Sequence, residues 1–125
     1  MDDSITPKLI ILEEISEGST FPGLELVINE TFITEGETEL TIVPVDLTGA
    51  TVVAQFKQGN NVCGTYTNTD SSLLIDGNKI TMPEHVPKLK YGLYDFDFNI
   101  TLSDGLKITG FAKGQWRILN PITKL

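Results

Sequence analysis

The sequence predicts an all-β fold in which two layers of antiparallel sheet face one another, and three observations predict it. Over residues 93–102, Tyr94, Phe96, Phe98, Ile100 and Leu102 share one parity while Asp95, Asp97, Asn99 and Thr101 share the other. That period of two fits a half-buried strand and no helix. Residues 40–57 hold two apolar runs rich in β-branched residues, parted by Pro44, Asp46 and Gly49, which reads as strand, corner, strand. No segment sustains a 3.6-residue period between caps, and Asp76-Gly77 and Asp104-Gly105 supply hairpin signals. Seven to nine strands follow, and two packed sheets are the natural way to bury their dry faces. A small barrel satisfies the same pattern.

At 125 residues the chain suits one sizeable hydrophobic core. Apolar residues make up 40% and charged residues 21%, with a mean hydropathy of +0.02, which fits neither general disorder nor a membrane protein. No apolar run approaches the ~20 residues that span a bilayer. Met1-Asp2-Asp3 lacks the basic patch and apolar stretch of a secretion signal, so use without Sec-type export is expected. Cys63 is the single cysteine, which excludes an intrachain disulfide and argues against structural zinc. It is expected to be a free thiol, with no nearby base to activate it.

The net charge of -8 is unevenly spread. Residues 1–46 hold eleven of the 17 acidic groups and one base, Lys8, while residues 47–125 hold six acids and eight bases. Such a surface lacks the concentrated Lys and Arg that nucleic acid or anionic membrane requires, so neither is an expected partner. The acidic third is better matched to a positively charged protein surface, or to divalent cations shared between subunits.

In chain order, residues 8–15 read as a strand covered on both sides, because Leu9, Ile10, Ile11, Leu12 and Ile15 are too dense for an alternating one. Residues 16–23 form a loop. Leu24, Leu26 and Ile28 alternate with Glu25, Val27 and Asn29, and residues 31–33 extend that strand or begin the next connection. Glu35-Gly36 is a turn before a strand at 37–43. At the corner, Asp46 and Thr48 bracket Leu47; a short polar side chain there accepts a backbone N–H while Leu47 plugs the core. Val52, Ala54 and Phe56 then share a buried face. Gly59-Asn60 turns into a strand at 62–66, and the polar run 67–72 is an exposed loop. Pro83 and Pro87 enclose a crossing segment with room for at most a turn of 3₁₀-like structure. After residue 105, two strands are expected: 106–112, with Leu106 and Ile108 on one side, and 115–119, with Trp116 and Ile118 inward. Gly110 is placed at a bulge, because Phe111 has the opposite parity to Ile108.

Candidate chemistry is sparse. His85 is the single histidine and has no periodically placed carboxylate, no nucleophile elbow and no phosphate loop to work with. Asp95 and Asp97 neighbour one another on one strand face, a pair that suits a hard cation or acid–base work and equally the solvent face of an aromatic-rich strand. Tyr66, Tyr91, Tyr94 and Trp116 would make a sugar platform if exposed together, but Tyr94 and Trp116 have core parity. No catalytic, cofactor or metal residue is therefore assigned, and the chain is not expected to be an enzyme. Phe56, Tyr94, Phe96, Phe98, Ile100 and Trp116 are the expected core.

The run Pro44-Val45-Asp46-Leu47-Thr48-Gly49 followed by an alternating strand resembles a signature of small immunoglobulin-like β-sandwich modules in tailed-phage structural proteins. The nearest are the N-terminal domain of baseplate upper proteins and related fibre-attachment or tail accessory modules. Matching stretches continue at Asp76-Gly77-Asn78-Lys79-Ile80, at residues 89–97, at Asp104-Gly105 and at Gly114-Gln115-Trp116-Arg117-Ile118, so the resemblance covers about residues 36–123. It implies an immunoglobulin-like antiparallel β-sandwich core over residues 36–125, with residues 1–35 as an N-terminal extension or additional strands. The function it implies is that of a virion protein assembled in the host cytoplasm, attached to other virion structural proteins and homo-oligomeric in the particle, with no catalysis. Leu9, Ile11, Phe21, Leu24 and Phe32 are then the expected interface. The competing expectation is a carbohydrate- or host-surface-binding immunoglobulin-like module.

Overall fold

The computed structural model describes residues 2–4, 8–9, 12, 14–33 and 40–120. Nine strands carry the fold: Leu24–Val27 (β4), Asn29–Ile33 (β5), Leu40–Pro44 (β6), Thr51–Gln58 (β7), Asn61–Thr67 (β8), Leu74–Asp76 (β9), Lys79–Met82 (β10), Gly92–Thr101 (β11) and Lys107–Leu119 (β12). Three short segments add to their edges: Asp2–Ser4 (β1), Lys8–Leu9 (β2) and Ile15–Ser16 (β3).

The large sheet runs β2-β12-β11-β7-β8, with β3 also on β12. Its three central strands are antiparallel and have the parity read from the sequence. Tyr94, Phe96, Phe98 and Ile100 are buried along β11, and Val52, Ala54 and Phe56 along β7. The second layer is β9-β10-β4. Through Ile28 it passes into the ladder β1-β5-β6: the Ile28 amide donates to the Asn78 carbonyl at 2.9 Å, and the Ile28 carbonyl accepts from the Val45 amide at 3.1 Å. A residue's N–H and C=O leave a strand on the same side, so β6 takes over from β10 along one continuous edge.

Between the layers, Trp116 packs edge-on to Phe21 at 5.0 Å and lies 5.4 Å from Phe56, which in turn meets Phe96 at 5.3 Å. The second layer contributes Leu26, Ile80 and Met82 to the same core. Leu47 is fully buried beneath the corner, where the Thr48 amide donates to Asp46 Oδ1 at 2.9 Å and the Leu47 amide to the Gly77 carbonyl at 3.0 Å. Hydrogen bonds from the Thr48 hydroxyl and amide hold the Asp46 carboxyl below its ordinary value.

Several expectations are corrected. The segments at 106–112 and 115–119 are one thirteen-residue strand, β12. It survives the parity change because Gly110, at φ +63°, takes up the register shift opposite Phe98 and Ile100, and its amide donates to Asn99 Oδ1 at 2.7 Å. Leu106 lies in the turn before β12 and is 56% exposed, so it does not join Ile108. Instead of one strand at 8–15, two short segments, β2 and β3, run parallel to β12 at Ala112–Lys113 and Ile118–Leu119, which makes the large sheet mixed. Within the crossing segment, His85 pairs with Phe21 through two backbone hydrogen bonds of 2.7 and 3.1 Å, where residues 16–23 were expected to be loop alone. That pairing places Phe21 in the core at 2% exposure, so it is not an interface residue, and Leu24 is half-buried against the same core. Leu9 and Phe32 lie in β2 and β5, and Ile11 lies outside the described residues, as does the Glu35-Gly36 turn.

Phe56 touches three other rings and has no exposure. Urea unfolding of Phe56→Ala should show a loss of ~3–5 kcal/mol. Asp95→Asn on the opposite face of the same sheet should stay within about 0.5 kcal/mol of the parent.

Candidate functional site

The core consumes one face of the large sheet, and the outward parity builds the other. Cross-strand register sets Lys57, Asp95 and Gln115 in one row and Gln55, Asp97 and Lys113 in the next. Each carboxylate thus has a lysine on one neighbouring strand and a glutamine on the other. Gln115 Nε2 donates to Asp95 Oδ1 at 3.0 Å, whereas Asp97 Oδ1 is buried with no hydrogen-bond partner among the described residues. These six side chains line a shallow hollow of about 330 Å³. The pair is therefore part of a mixed-charge surface, and among the described residues no three His, Cys, Asp or Glu side chains gather as a metal site.

The edge strand β8 borders two deeper hollows. Gly64 lets the crossing segment approach: a Cβ there would sit 3.2 Å from Leu89 Cδ2. One hollow, of about 780 Å³, is lined by Glu17, Gln58, Cys63, Lys88, Lys90, Tyr91 and Tyr94. Glu17 Oε1 accepts the Tyr91 amide at 2.8 Å, and the Tyr94 hydroxyl donates to the Lys90 carbonyl at 2.5 Å. The other, of about 420 Å³, holds Tyr66 and His85. His85 Nδ1 is 2.8 Å from the Pro83 carbonyl, which can only accept, so Nδ1 carries the proton and Nε2 accepts from the Tyr66 hydroxyl at 2.7 Å. Both ring nitrogens are thereby engaged: Nδ1 fixes the ring within the crossing segment, and Nε2 ties that segment to β8. The ring itself sits edge-on to Tyr66 and to Phe21.

At its far end β8 is closed by side chains. Asn68 imitates a strand residue, accepting the Val52 amide and donating to the Ala50 carbonyl, each at 2.9 Å. Ser72 Oγ accepts the Thr67 amide at 2.8 Å, and the Leu73 amide donates to the Thr67 carbonyl at 3.1 Å. Hydrogen bonds from the Ser72 hydroxyl and then its amide hold Asp70 below the usual carboxylate range.

The four rings considered as a platform are not brought together. Tyr94 and Trp116 are buried, Tyr66 is half-buried against His85, and Tyr91 is 55% exposed. Cys63 is an exposed free thiol at the point where the β7–β8 register shifts. Sequence reasoning missed the Tyr66–His85 pair and the capping by Asn68, since both depend on contacts that only the folded path of the chain creates. Comparison with known proteins finds no family model that matches the chain and no curated protein that matches it.

Burial pushes the Tyr66 hydroxyl up from 10.0 to about 12. The folded chain then holds this proton more tightly than the unfolded chain, so the linked stabilisation is complete below pH 10.0 and is lost as pH rises to about 12. Melting curves across that window should show a smaller alkaline loss for Tyr66→Phe than for the parent. At neutral pH the same substitution, which leaves His85 Nε2 without its donor, should cost about 0.5–1.5 kcal/mol.

Proposed function

We propose that this chain is a non-enzymatic structural module of a tailed-phage virion. In this reading it is an immunoglobulin-like β-sandwich that serves as an adaptor or decoration piece on a tail, baseplate, fibre or capsid. It works through protein–protein contacts with other virion structural proteins. The observation that carries the reading is the open face of the large sheet, where three strands, β7, β11 and β12, offer Gln, Asp and Lys side chains around one shallow hollow. Such a surface suits a flat protein neighbour better than an enclosed small substrate. The signature run Pro44 to Gly49 adds support, because it forms the passage from β6 in one layer to β7 in the other.

The groups that would serve catalysis have scaffold duties: His85 bonds Tyr66 and Pro83, and Asp95 bonds Gln115. Carbohydrate or host-surface binding is the second reading and has less support, since Tyr91 is the one strongly exposed ring of the four considered.

Particles purified from the source, labelled with an antibody raised against this chain and viewed by electron microscopy, should carry label at a fixed place on head or tail. Mass spectrometry of the same particles should recover its peptides at a constant ratio to the major structural proteins. Particles free of both label and peptides would overturn the proposal.

A further inference from the structure

The hollow of about 780 Å³ beside β8 has an apolar rim that the core does not use. Tyr91, Leu93 and Leu119 are 55%, 42% and 39% exposed. Leu93 shares the outward parity of Asp95 and pairs with Arg117, and Leu119 is the next outward residue of β12. Glu17 holds Tyr91 beside them: its amide donates to the Leu119 carbonyl at 2.9 Å, and its Oε1 accepts the Tyr91 amide at 2.8 Å. One end of the open face thus gathers three bulky apolar side chains that remain in water.

The wall of the hollow is polar and carries its own charge. Lys88 and Lys90 line it, both exposed, and among the described residues no carboxylate comes within 4.0 Å of either ammonium. Glu17, the acid in the lining, is committed to the Tyr91 amide. Gln58 reaches the same wall because Gly92, at φ +147°, has no side chain: a Cβ there would sit 2.5 Å from Gln58 Nε2. Two bases against one acid give this corner the opposite sign to the chain as a whole, whose net charge is -8.

We propose that this hollow and its rim dock a short, extended, acidic segment of another protein. Its carboxylates lie beside Lys88, Lys90 and the Gln58 amide, and neighbouring bulky apolar side chains cover Tyr91, Leu93 and Leu119. Size decides for a linear segment: two outward rows on two adjacent strands measure only about 7 by 5 Å between backbone positions. A folded partner needs ~800 Å² on each side. Charge decides for carboxylates and against a second copy meeting this patch with its own, which would set Lys88 and Lys90 against like charges. The same charge balance disfavours an anionic membrane or nucleic acid, since an extended polyanion meets the field of the whole chain while a short segment meets the local one.

This inference does not rest on the virion reading, because it concerns what the isolated chain binds. Fluorescence polarisation of the full chain with a labelled peptide of about ten residues, alternating glutamate with leucine, should give a Kd on the order of 100 μM or below at about 50 mM salt and roughly tenfold weaker binding at about 500 mM. Peptides alternating lysine with leucine, or glutamate with serine, should each bind about tenfold more weakly or worse. Lys88→Glu with Lys90→Glu should weaken capture of the first peptide by roughly tenfold or more, as should Leu93→Ser, with unchanged melting curves confirming that the variants fold. Lys107→Glu, at the far end of the same sheet, should leave it unchanged. No binding of the first peptide, equal binding of all three, an equal loss in Lys107→Glu, or tighter binding to phosphatidylserine vesicles than to the peptide would each overturn the proposal. The comparison of the three peptides on the parent decides the matter if a variant fails to fold.

Discussion

The packing of Phe56 against Trp116, Phe96 and Tyr66 is the constraint on which the rest of the structure depends. These rings come from four strands, β7, β12, β11 and β8, and they turn one face of the large sheet toward the second layer. Aromatic side chains are the largest apolar payload a small domain has, and among the described residues most of it is spent inside. Among the described residues Tyr91 is the one strongly exposed ring, and the outward rows at the centre of the large sheet are Lys, Asp and Gln, so recognition across that part of the sheet is by charge and hydrogen bonding.

The parts of this architecture that were legible in the sequence are those whose signal is local. Residues 93–102 announce their two faces because every inward position is apolar and nearly every outward one polar. The corner at Asp46 to Gly49 is legible because an Asx-type bond and a plugging leucine need only four residues. The Gly110 bulge shows as a break in parity, but the same break hides that β12 is continuous, since a turn and a bulge disrupt alternation alike. Phe21 could not be placed, because its burial follows from a backbone pairing with His85, sixty-four residues on. No local pattern marks a two-residue parallel segment, so β2 and β3 were indistinguishable from an isolated strand. Of the candidate site, the alternation that puts Asp95 and Asp97 on one face was visible, but the cross-strand register that sets Lys57 and Lys113 beside them was not.

Charge and topology reinforce one another in this molecule. The acidic residues concentrate early in the chain and the bases late. β7 and β12, which carry the later bases Lys57, Lys107, Lys113 and Arg117, flank β11 in the large sheet. The mixed rows of Lys, Asp and Gln on the open sheet also guard it, because alternating charges disfavour unspecific stacking of exposed strands.

The parallel pairing of β2 and β3 with β12 ties two early segments to a strand about a hundred residues further on, Lys8 opposite Ala112 and Ile15 opposite Ile118. During synthesis on the ribosome, β2 and β3 have no resting place until β12, about a hundred residues further on, has emerged. Contacts of such long sequence separation close late and make folding slow. The same arrangement acts as a completeness check: a truncated product lacking β12 leaves β2 and β3 undocked, exposing them to proteolysis before an incomplete copy can enter any assembly.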